Sequence, residues 1–176
     1  VSGVVSTGMD KSNELLLLAM HNTIGLSSWT TPRVHSGFLG SYMRMREQIH
    51  AVLRRELKKD DMASSRVLFT GHSLGGALAT LCALDCSVHT LPRVRAYHRE
   101  NNPQSGLESV KISPTLYTFG QPRVGDPVFR SMFDIIVPDA FRVVVDGDVV
   151  TSLPKNANGY RHAGTSVVTD SPQTGN

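Results

Sequence analysis

The short apolar run Val67-Leu68-Phe69-Thr70 passes without a spacer into Gly71-His72-Ser73-Leu74-Gly75-Gly76, and Leu74 to His89 then has the composition of a helix. No other stretch constrains the fold as tightly. A run this short and rich in strand-forming residues, closed by a turn signal, reads as a buried strand. A serine between glycines at a strand-to-helix junction is held on a sharp bend. Its hydroxyl then stands at the carboxyl end of the strand, facing the amides and positive dipole end of the new helix. Gly71 and Gly75 suit such a bend, because a Cβ at either is expected to crowd the strand or the helix behind it. Gly-x-Ser-x-Gly alone is short and recurs by chance; the flanking strand and helix give it meaning. Ser73 is therefore the candidate nucleophile, and the backbone N–H of Leu74 a candidate oxyanion donor. The rival reading is a glycine-rich helix start with a solvent-exposed serine. His72 points away from Ser73 at such a bend and is a packing or orienting residue.

The rest of the chain supports an alternation of strands and helices. Phe38, Tyr42, Met45, Ile49 and Val52 fall in steps of four and three, the spacing of a helix that buries one stripe and runs to about Lys59. Its opposite face carries Arg44, Arg46, Glu47, Arg54 and Arg55. Arg93 to Gly106 is polar and reads as an exposed loop. Thr115 to Phe119, Phe141 to Val145 and Thr165 to Val168 read as further strands. Asp126 caps a helix with Pro127 at its first position. Strands separated by helices imply a mostly parallel sheet in an α/β fold, here one domain over residues 1–176.

Composition narrows the function classes. The net charge of +3 rests on a basic run from Arg44 to Lys59 that has no interleaved aromatics and no recognition motif, so it reads as a solvated helix face rather than a nucleic-acid surface. Cys82 and Cys86, four apart, read as small buried residues on one helix face. No apolar run approaches the roughly 18 residues of a transmembrane helix. Val1-Ser2-Gly3 has neither an initiator Met nor a signal-peptide n-region, so the chain reads as a piece of something longer. The compartment is undecided, with the cytoplasm slightly favoured. No ligand-spaced His/Cys cluster or phosphate loop is present, so no metal or organic cofactor is expected.

A nucleophilic serine needs a base, and the base an orienting acid. Asp146 and Asp148 both follow the strand ending at Val145, and residue physics alone leaves the choice between them open. Four segments, taken in order, resemble the class 3 lipases, the fungal-type and plant-type triacylglycerol lipase family. They are Val34-His35-Ser36-Gly37-Phe38; Phe69 through Ala79; Thr118-Phe119-Gly120-Gln121-Pro122-Arg123-Val124-Gly125; and Arg142 through Asp148 to Leu153-Pro154. The resemblance implies an α/β-hydrolase fold, truncated at its C-terminal end, and hydrolysis of lipid carboxylic esters with Ser73 as nucleophile. It also implies that Asp148, followed by two apolar residues and then Leu153-Pro154, is the orienting acid, leaving Asp146 to the turn. The substrate it implies is a lipid ester, met at a membrane or lipid-droplet surface.

The sequence departs from that family in two places. His162, in Gly159-Tyr160-Arg161-His162, matches a family histidine that is not catalytic, so the base is expected beyond Asn176. His162 is expected to be structural, hydrogen-bonded near the Asp148 loop, and His35 likewise structural. His21, His50, His89 and His98 have no motif around them and read as surface or helix-face residues. The family's Arg-Gly-Thr or Arg-Gly-Ser oxyanion segment has Thr7-Gly8-Met9 as its counterpart, leaving the Met9 amide as the second donor. Leu15 to Trp29 stands where the family carries a lid, and reads equally as an apolar flap or a buried helix. Two rival functions remain: an inactive lipase-like module that binds acyl lipids or a protein, and an esterase for non-lipid esters such as feruloylated sugars.

Overall fold

A computed structural model describes residues 31–102 and 110–170. In chain order the elements are α1 (Ser36–Leu57), β1 (Arg66–His72), α2 (Leu74–Asp85), a π-helical turn (Cys86–Thr90), α3 (Leu91–Asn101), β2 (Ser113–Phe119), α4 (Pro127–Ile136), β3 (Ala140–Val145) and β4 (Thr165–Thr169). The strands form one parallel sheet in the order β1-β2-β3-β4. Parallel neighbours need crossovers, and α2–α3 and α4 supply the first two. The expected α/β class, with a parallel sheet flanked by helices, is what the chain adopts.

Strand periodicity sets the core. On one face Val67, Phe69, Leu116 and Ala140 are buried, together with Ala77, Leu81 and Leu84 of α2 and Phe129, Met132 and Phe133 of α4. Phe129 and Phe133 are wholly buried, and each such side chain stabilises the fold by roughly 1.5–3 kcal/mol. The small residues at the start of α2 let it approach β1 and β2. A Cβ on Gly76 meets Thr118 and Gln121 at 3.2 Å. Asp126 caps α4 as expected, accepting from the Phe129 amide at 2.8 Å, with Pro127 in the first turn.

Three expectations fail, each for a physical reason. First, α1 buries Leu39, Tyr42, His50 and Leu57, while Met45 and Val52 face outward. The stripe is rotated because Arg46 and His50, counted as surface residues, turn inward to Asp85 of α2. Second, Arg93 onward is helix to Asn101 rather than loop; Pro92 sits in the first turn of α3, where its missing N–H costs nothing. Third, His98 is buried, donating from Nε2 to the Leu57 carbonyl at 2.6 Å. The stretch Leu74–Asn101 is long and apolar enough by length and composition to cross a membrane, without containing a continuous apolar run of that length. Ala77, Leu81, Ala83, Leu84, Leu91 and Val94 of this stretch are buried in the core, as in the core helix of an α/β domain, while Leu74 is exposed. Cys82 and Cys86 are buried free thiols, with Sγ atoms 3.9 Å apart.

Candidate active site

Ser73 joins β1 to α2 at φ 51° and ψ −122°, a backbone conformation that suits glycine and is strained in a residue with a Cβ. It is the only non-glycine residue at positive φ among the described residues. The bend is over-determined on both sides. The Ser73 amide donates to the Phe119 carbonyl at the end of β2 (2.9 Å), and the Ser73 carbonyl accepts from Gly76 (3.0 Å) and Ala77 (3.3 Å) to open α2. Gly71 is obligatory, because a Cβ there falls 2.3 Å from the Gly75 carbonyl oxygen. Gly75 itself is not crowded, contrary to expectation: the space beside its Cα is open, and Gly76 is the residue pressed against the sheet. The Leu74 N–H is the first of α2 and has no helical carbonyl to pair with. It is thus available beside the Ser73 side chain.

Asp148 lies on the loop after β3, at the same carboxyl edge of the sheet as Ser73. Its Oδ1 accepts from the Val150 amide (2.9 Å) and its carbonyl from the Thr151 hydroxyl (2.8 Å), so the carboxylate is held by its own turn. Gly120, at φ 56°, ends β2 between the two. A Cβ there sits 2.9 Å from Asp148 Oδ2 and 3.6 Å from His72 Nε2. The glycine opens room for the carboxylate, a role the sequence reading did not assign. Its signal was the glycine directly after a strand. Asp146, assigned to the turn, donates its amide to the Thr169 carbonyl at 3.0 Å.

The loop carrying Asp148 is clamped from behind. Arg123 donates from Nη1 to the carbonyls of Ser152 and Pro154, the latter at 2.9 Å, and its amide donates to Leu153 at 2.7 Å. His162 donates from Nε2 to the Thr151 carbonyl at 2.8 Å. Burial and the nearby Arg142 guanidinium push the His162 pKa down to about 4, so the ring is neutral at pH 7. His35 packs on Phe38 and Tyr160, and burial lowers its pKa. Among the described residues, no histidine hydrogen-bonds either Ser73 or Asp148. Met9 and the Leu15–Trp29 segment lie outside the described residues.

A strained serine at a strand-to-helix bend, with a carboxylate two strands away at the same sheet edge, is an arrangement fit for acyl transfer. Over most of its length the chain is similar to known lipases. The lipase of Rhizomucor miehei is 40% identical over 144 residues, which cover 81% of this chain and 35% of that protein. A secreted mono- and diacylglycerol lipase of Malassezia globosa is 31% identical, over 72% of this chain and 35% of its own length. The Rhizomucor miehei lipase propeptide complex superposes with a TM-score of 0.63 at 35% identity, covering 80% of this chain and 40% of that one. A triacylglycerol lipase whose catalytic centre is described as a serine protease triad superposes at 0.59 and 34% identity, over 85% and 53%. The chain spans about a third of the length of the curated relatives it matches. The profile of the family Lipase (class 3) matches residues 4–158, and with these relatives and this α/β-hydrolase fold the chain belongs to the class 3 lipases.

Proposed function

We propose that the protein hydrolyses carboxylic esters of lipids, with Ser73 as nucleophile and Asp148 as the acid that orients a histidine base. The Ser73 hydroxyl attacks the ester carbonyl while the histidine takes its proton. The resulting oxyanion is stabilised by the Leu74 amide at the head of α2, and by the Met9 amide as second donor. Collapse expels the alcohol, protonated by the same histidine, and water then hydrolyses the acyl-serine. The base comes from outside the described residues. The substrate class rests on the relatives, which are lipases by name. The observation that carries the reading is the Ser73 backbone, a costly conformation whose use is to present a hydroxyl.

A fluorophosphonate probe tests it, applied to the 176-residue chain and to the chain extended by the coding sequence that follows Asn176. The extended protein is expected to label at Ser73 and to lose labelling in Ser73→Ala. Equal labelling of the two removes Ser73 from the mechanism. Among the described residues no histidine hydrogen-bonds Asp148, and that favours one second reading, a lipase-like module without activity, for which neither form labels.

A further inference from the structure

Behind the Asp148 loop, between α4, β3 and the segment before β4, lies a cavity of about 700 Å³ lined by Arg123, Arg130, Arg142, Arg161, Asp134 and His162. Three of the four guanidinium groups have partners. Arg123 holds the Ser152 and Pro154 carbonyls, Arg130 pairs with Asp134 at 3.4 Å, and Arg161 donates to Asn156 and Tyr160. Arg142 is the exception. It is 7% exposed, its buried Nε has no partner, and among the described residues no carboxylate forms an ion pair with it. Asp134 is the acidic group that acts on it, but that carboxylate is engaged by Arg130 and the Gly164 amide. A second buried atom on the same cavity, His162 Nδ1, also has no partner. A buried guanidinium without a counter-charge is costly, and an arginine fork matches the oxygens of a phosphate.

We infer that this cavity binds a phosphate group, with Arg142 its central ligand and Arg123, Arg130 and Arg161 its electrostatic surround. Four arginines against one aspartate give the lining a net charge of +3, suited to a dianion. The volume falls within the roughly 300–1,000 Å³ of small-molecule sites, so it takes a phosphate monoester rather than the bare ion alone. Arg123 and His162 also hold the loop that carries Asp148, so an occupant braces that loop from behind.

Calorimetry at pH 7.5 with inorganic phosphate and with glycerol 3-phosphate, against sodium chloride of equal ionic strength, tests the inference. Saturable binding is expected, weakened about tenfold or more in Arg142→Met and partly restored in Arg142→Lys. Binding no better than chloride, or undiminished in Arg142→Met, overturns it. Should Arg142→Met fail to fold, the His162 ring proton signals of the unmodified protein decide. Phosphate is expected to raise the His162 pKa from about 4, because Nδ1 gains an acceptor, and an unmoved titration overturns the inference. Vesicles containing phosphatidate separate the sources. Vesicle binding that depends on Arg142 and resists glycerol 3-phosphate assigns the phosphate to a lipid headgroup, whereas competition assigns it to a soluble ester. These readouts are binding and titration, so they fail or succeed independently of ester hydrolysis.

Discussion

At the scale of the residue, the most informative number is the positive φ of Ser73. A glycine adopts that conformation freely, and a non-glycine residue held there costs on the order of 1–3 kcal/mol. The Cβ carries the strain, not the hydroxyl. Ser73→Gly is therefore expected to raise stability by about 1 kcal/mol net of the greater freedom of its unfolded chain, a rise of roughly 2–4 °C in Tm. Ser73→Ala keeps the Cβ and gains nothing, although both variants lose the nucleophile. Thermal unfolding of the two side by side checks this. Equal midpoints mean that the bend is relaxed and that its geometry says nothing about function. Ser73 and Leu74 were legible as candidates because each sits at a fixed offset from a strand end, whereas Asp148 was separated from Asp146 only by the resemblance to the class 3 lipases. Gly75 was misjudged for Gly76 because sequence gives spacing along a helix but not which side meets the sheet.

At the scale of the element, α1, α2 and the π-helical turn are joined through one buried carboxylate that no motif announced. Asp85 Oδ2 accepts from Tyr42 (2.6 Å), Arg46 Nε (2.6 Å) and His50 Nε2 (2.8 Å); Oδ1 accepts from Arg46 Nη2 (3.1 Å) and His89 Nδ1 (2.7 Å). Thr90 closes the cluster on His50 Nδ1. Burial alone drives the Asp85 pKa upward, but the donors from His50, His89, Arg46 and Tyr42 together hold it well below the usual carboxylate range. This network rotates α1 and makes periodic apolar counting fail there, since Arg46 and His50 occupy core positions by pairing. Asp85→Asn removes one partner of a buried ionic cluster and is expected to cost about 3–5 kcal/mol at pH 7. A carboxylate with a depressed folded pKa stabilises fully above its unfolded value near 3.9, and that contribution is lost as pH falls further. The gap between wild type and Asp85→Asn in urea midpoints is therefore expected to be constant from pH 7 to 5 and to narrow below pH 4. A gap that stays constant to pH 2 means that charge contributes nothing and hydrogen bonding alone holds these helices together.

At the scale of the whole molecule, a consistent crossover hand puts the connecting helices on one face of the sheet. The alternation of strands and helices was readable because their periodicities differ. The resulting imbalance between the two faces was not, because it depends on register. Along the second face Thr70 pairs with Tyr117, Tyr117 with Phe141, Phe119 with Val143, and Val143 with Val167. On that face Leu68 is 59% exposed and Phe119 44%, and Tyr117 and Val167 are similarly open. Parallel sheets ordinarily have both faces covered, and an apolar surface of this extent is unusual for a stable monomer. The protein is expected to enhance the fluorescence of anilinonaphthalene sulfonate while its near-ultraviolet dichroism remains that of a packed core. Replacing Leu68, Tyr117 and Val167 together by threonine keeps strand propensity and removes the apolar surface. The triple variant is expected to lose most of the dye response and to change stability by no more than about 0.5 kcal/mol per site, as exposed positions do. Were the face packed against other residues, each large-to-small change would cost about 2–5 kcal/mol, and the variant would unfold at markedly lower urea.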